Sequence, residues 1–85
     1  MPTISMFFGI VIRMYFDDHN PPHFHALYAG NTALYTLDGE LLEGNMPSKQ
    51  HKLIVAWAAI HQEELEANWE LASSEGTVFK IDPLR

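Results

Sequence analysis

Cysteine is absent from this 85-residue chain. That excludes a disulfide framework and thiolate metal ligands, and it fits a reducing compartment such as the cytoplasm. Cations are scarce as well: five Lys and Arg stand against eleven Asp and Glu, a net charge of −6 with neutral histidines. Arg13, Lys49, Lys52, Lys80 and Arg85 form no run. Such a chain repels a phosphate backbone, which argues against nucleic-acid binding by the chain alone and leaves it open only within a complex. A basic partner protein suits this charge better. Long apolar runs are also missing. The apolar stretch 7–12 is too short for a membrane span or a signal-peptide core, ends at Arg13 and follows no basic region, so it reads as a buried strand of a soluble protein. No Gly-x-Gly-x-x-Gly, Walker, His-Glu-x-x-His or nucleophile-elbow pattern occurs, and Ser5, Ser48, Ser73 and Ser74 have no context marking a nucleophile.

No linker, repeat or low-complexity segment divides the chain, so residues 1–85 read as one domain. A domain of this size buries only ~60–65% of its unfolded surface, with a stability on the order of 4–13 kcal/mol. The hydrophobic content of 47% suffices for a core. Residues 4–16 are apolar on both alternating faces and predict one long strand, central or covered on both sides. A turn-rich loop at 17–22 leads to a second strand at 23–29. Gly30-Asn31 signals a hairpin into a third strand at 32–37, and Asp38-Gly39 another into a short strand at 40–43. Residues 77–81 read as a last strand.

Between these lies a helical region, 48–74, with Pro47 suited to its first turn and Asn45 or Ser48 as caps. Trp57, His61, Leu65 and Trp69 fall on one stripe, continued backward by Leu53 and Ile54, and Gly76 closes it. One straight helix here would be roughly 40 Å long, whereas the domain's radius of gyration should be about 12 Å. Glu63, Glu64 and Glu66 suit the first turn of a second helix. A bend or break is therefore expected near residues 60–62. The fold class is α+β: a mainly antiparallel meander sheet of four or five strands packed against one bent or two short helices.

The densest chemistry is His19-Asn20-Pro21-Pro22-His23-Phe24-His25, which holds three of the five histidines. The prolines stiffen the entry to His23, and His23 and His25, two apart on a strand, point to the same side. Two imidazoles at that spacing can share a zinc-like divalent ion, with His19, Asp17, Asp18, His51 or His61 as third-ligand candidates. They can equally bind a phosphate or a partner's carboxylate, or serve as general acid and base. The bland alternative is a pair of histidines on the solvent face of an edge strand.

Arg13 interrupts an apolar strand and needs a partner if buried. With Phe16 opposite His23, Arg13 lies on the face away from the histidines. A register shifted by one puts Arg13 beside His23 and His25 as an anion pocket. The simpler alternative is an ion pair with a helix glutamate. His61 reads as a core-edge histidine with a local hydrogen bond, and the glutamates of 63–75 as a solvated face. Trp57 and Trp69 read as core anchors, with a dimer surface as the other use of one of them.

The residues Met1-Pro2-Thr3-Ile4-Ser5, Phe8-Gly9-Ile10-Val11-Ile12-Arg13-Met14-Tyr15-Phe16 and Asp18-His19-Asn20-Pro21-Pro22-His23-Phe24-His25-Ala26 resemble the bacterial and archaeal domain-of-unknown-function family 4160. Gly39-Glu40, Leu42-Glu43-Gly44, Pro47, Trp57, His61, Glu64-Leu65 and Asn68-Trp69 extend the likeness over essentially the whole chain. The family has no established activity. The resemblance implies a small cytoplasmic protein, often encoded beside another small protein in a toxin–antitoxin-like arrangement, and it singles out Arg13, His19, His23 and His25. Met6, Leu27 and the segment 29–37 are more apolar than the family pattern, which favours self-association.

These readings lead to a partner or regulatory protein of a toxin–antitoxin-like pair. It would act by binding a small partner protein, a second copy of itself, or both, through a site at His19, His23 and His25 with Arg13, and without a membrane. The alternative is a metal- or phosphate-handling enzyme, such as a nuclease, that uses His23, His25 and Arg13.

Overall fold

The computed structural model describes residues 3–15, 20–74 and 76–84. Five strands, β1 (Thr3–Phe7), β2 (Ile10–Arg13), β3 (His23–Tyr28), β4 (Asn31–Thr36) and β5 (Leu41–Gly44), form one antiparallel sheet in the order β1-β2-β3-β4-β5. Two helices follow, α1 (Ser48–Ile60) and α2 (Gln62–Ser73). The expected α+β meander is present, with five strands and two short helices. None of the helices is long and apolar enough to cross a membrane, among the described residues.

The single long strand expected over 4–16 is instead a hairpin. Phe8 and Gly9 turn it with φ of 49° and 80°. Gly9 supplies the positive φ that a tight two-residue turn requires, and it does so in the middle of an apolar run that masks the signal. The next hairpin turns at Ala29-Gly30 rather than Gly30-Asn31, because Asn31 already pairs with Tyr28. Residues 77–81 are not a strand, although Ile81 donates its N–H to the Ile4 carbonyl at 2.7 Å beside β1.

The helical region breaks at His61, within the expected window. Gln62 holds the break in place, its side-chain amide donating to the Leu37 carbonyl just past β4 and, at 2.8 Å, to the Ala58 carbonyl. Neither Asn45 nor Ser48 caps α1, whose N-cap is Pro47 with no side-chain hydrogen bond. The break keeps the molecule compact, with a radius of gyration of 11.6 Å.

One sheet face makes the core. Ile10, Ile12, Phe24, Ala26, Ala33 and Tyr35 alternate onto it and are fully buried, and Ile54, Trp57 and Ala58 of α1 pack there at helical spacing. Trp57 lies 5.4 Å from Phe7 and 5.6 Å from Phe24 between ring centroids. Its indole N–H donates to the Asp82 carbonyl at 2.9 Å, which ties the C-terminal segment over the core. Asn68 of α2, fully buried, makes a second tie: it donates to the Phe79 carbonyl at 2.8 Å and accepts from the Phe79 N–H at 2.9 Å.

Candidate functional site

The pairing of β2 with β3 sets Arg13 opposite His25, Ile12 opposite Ala26 and Val11 opposite Leu27. Of the two registers that the sequence allowed, this is the shifted one. Directly opposed residues share a face, so Arg13, His23 and His25 lie on the face away from Ile12 and Phe24. The same face carries Leu27, and through the β3–β4 pairing Leu34 and Thr36. It stays outside the core: Met6 is 62% exposed, and Val11, Arg13, His25, Leu27 and Leu34 are only half-buried.

The two imidazoles point to one side as expected, with centroids 5.3 Å apart and planes tilted by 56°. They are not equally presented. His23 is 2% exposed, packed 5.4 Å from the Trp69 ring of α2. Its Nδ1 lies 2.7 Å from the Pro21 carbonyl oxygen. A carbonyl oxygen only accepts, so Nδ1 carries the proton and the lone pair of the neutral ring sits on Nε2. The Pro21-Pro22 brace therefore fixes a tautomer as well as an entry direction. His25 is half-buried and takes the Tyr15 ring edge-on at 4.3 Å.

Arg13 does not pair with a helix glutamate. Among the described residues it makes no ion pair, and its buried Nε has no hydrogen-bond acceptor. A guanidinium nitrogen taken out of water without an acceptor is costly, and a site built this way suits an anion brought from outside.

Of the third-ligand candidates, His51 is on α1, its Nδ1 2.9 Å from the Tyr35 hydroxyl on the core face. Burial of that hydroxyl raises the Tyr35 pKa above 10.0. His61 makes the expected local bond, donating from Nδ1 to Glu64 Oε1 at 2.8 Å beside the Trp57 ring. Neither joins His23 and His25. Among the described residues no three His, Asp or Glu side chains converge as a metal site. His19, Asp17, Asp18 and Phe16 lie outside the described residues. Within them, then, two imidazoles fall short of the four ligands a tetrahedral zinc site needs.

Sequence reasoning missed Tyr15 as the ring on His25, although its place two residues after Arg13 on an extended segment was the available signal. Trp69 packs against the core as expected, but it is only half-buried, and sequence reasoning missed that its ring also meets His23 and borders a surface cleft.

No curated protein and no solved structure matches the chain. A family model, Domain of unknown function (DUF4160), matches residues 9–70, a span that contains Arg13, the Pro-Pro-His-Phe-His segment and both helices up to Glu70. The chain belongs to the DUF4160 family.

Proposed function

We propose that this protein is the binding member of a toxin–antitoxin-like pair in the cytoplasm, docking a second small protein on the half-exposed outer face of its sheet. The observation that carries the reading is Arg13, opposite His25 with no acceptor for its buried Nε among the described residues, on a face with Val11, Leu27 and Leu34 half-buried. Apolar area around one arginine and aromatic rings is the composition of an interface centre. The partner would set a carboxylate between Arg13 and His25.

Native-lysate capture on the tagged chain should return a stoichiometric small protein. Arg13→Ala should weaken that complex about 30-fold, the effect of losing ~2 kcal/mol at an interface anchor. His25→Ala should weaken it less, with both variants keeping the wild-type far-ultraviolet circular dichroism spectrum. Recovery of monomer alone under varied salt would sink the reading, as would full binding by Arg13→Ala. The same Nε, without an acceptor among the described residues, supports the enzymatic alternative. Titration with inorganic phosphate separates the two: saturable, Arg13-dependent phosphate binding would favour a phosphate-handling site at Arg13, His23 and His25.

A further inference from the structure

Trp69, which meets His23, also borders a surface cleft of about 430 Å³. This lies within the ~300–1,000 Å³ typical of ligand clefts. Pro21, Pro22, Leu37 and the Trp69 indole supply its apolar lining, and Asp38, Glu66 and Glu70 its charge. Glu66 and Glu70 are four apart on α2, with Trp69 between them on the same side of the helix. Like charges at that spacing destabilise a helix unless a cation lies between them, and Asp38 adds a third carboxylate from the β4–β5 turn. Among the described residues no Lys or Arg lines the cleft and none of these three carboxylates forms an ion pair.

The charge is uncompensated, and the carboxylates do not converge closely enough for a metal ion, since no such cluster exists among the described residues. A cleft with an apolar floor, an aromatic wall and scattered carboxylates suits an organic cation that has an apolar stem. The geometry points to this cleft as a receptor for an arginine side chain of a basic partner polypeptide. Its methylene stem would lie along Pro21, Pro22 and Leu37 and its planar guanidinium would stack on Trp69, within reach of Glu66 and Glu70. A second copy of this chain is a poor occupant, because each carries −6. The inference stands apart from the sheet-face reading: it uses neither Arg13 nor His25, and its test needs no native partner.

The intact protein carries its own reporter. Trp57 is fully buried and Trp69 is not, so the two indole N–H signals in a ¹⁵N correlation spectrum give a probe and an internal reference. Titration with an acetylated Gly-Arg-Gly-Arg-Gly amide should move the Trp69 signal saturably and leave that of Trp57 in place. The lysine analogue should bind at least about threefold more weakly, and the glutamate analogue should not bind. The double variant Glu66→Gln, Glu70→Gln, at two exposed positions, should raise the Kd of the arginine peptide about tenfold, the loss of two charged contacts near a surface. Four results would each overturn the inference: a silent Trp69, an equal response to the glutamate peptide, an affinity unchanged in the double variant, or lysine bound as tightly as arginine.

Discussion

Asn68 offers the sharpest check on how this domain is held together. It is a polar side chain with no exposed surface, and it forms two hydrogen bonds to one residue, the N–H and the carbonyl of Phe79. In Asn68→Ala both bonds disappear, each worth ~1 kcal/mol net. Phe79 is 41% exposed, so once the amide is gone its main-chain groups can turn to water, which spares most of the further penalty for orphaned groups. The void left by the amide adds a fraction more. The expected loss is about 2–3 kcal/mol, which for a domain of this size lowers Tm by roughly 8–24 °C. Asn68→Asp separates hydrogen bonding from packing, because it keeps the volume. At neutral pH its carboxylate still accepts from the Phe79 N–H but faces the Phe79 carbonyl with a second acceptor, inside a site closed to solvent. It should therefore be less stable than wild type at pH 7 and recover as acid protonates the new carboxyl, which then donates to that carbonyl. Urea unfolding followed by circular dichroism from about pH 7 to pH 4.5, across the carboxylate range, reads both variants. A loss below ~0.5 kcal/mol for Asn68→Ala, in the range of an ordinary surface change, would refute the tether, and so would an Asp variant insensitive to pH.

Two other substitutions test the fold directly. Gly44 has φ of +91°, and a Cβ there would lie 2.2 Å from the Thr32 carbonyl oxygen; Gly44→Ala should cost at least ~2 kcal/mol through strain and displacement of β5, and a urea midpoint equal to wild type would contradict it. Tyr35 keeps its proton in the folded state beyond its ordinary pKa of 10.0 because burial disfavours the phenolate. The folded state then binds more protons than the unfolded chain above about pH 10, so this contribution to stability is whole below that pH and falls as pH rises through the raised pKa. Tyr35→Phe should flatten the alkaline limb of a stability–pH profile, and an unchanged limb would dismiss the effect.

Much of the fold was legible because the chain marks its later turns clearly. Asp38-Gly39 stands between alternating segments, and the helix break follows from length against domain size, supported by Glu63 and Glu64 just past it. The first hairpin was hidden, since Phe8 in its turn is apolar and only the solitary Gly9 betrays it. The register of Arg13 was undecidable from residues alone. Residues 10, 12 and 14 are apolar, and Val11 and Tyr15 flank Arg13 on the other face, so the pairing partner of Arg13 could not be read from the pattern, and packing by Trp57 against Phe24 decides. Asn68 was invisible for another reason: an asparagine among glutamates looks solvated until the segment it binds is in place. Trp69 follows the same helical spacing as Trp57 and also packs against the core, but spacing alone does not show that it stays half-buried and borders a cleft.

The contact between Ile81 and Ile4 joins positions 77 residues apart. On the ribosome, β1 and β2 are made before position 81 and can pair at once, but the outer edge of β1 keeps bare backbone groups until position 81 follows. Unshielded strand edges recruit other chains, so every growing copy passes through an interval in which its first strand is open to its neighbours. Tethers at Trp57 and Asn68, which seat the late segment as soon as it emerges, shorten that interval.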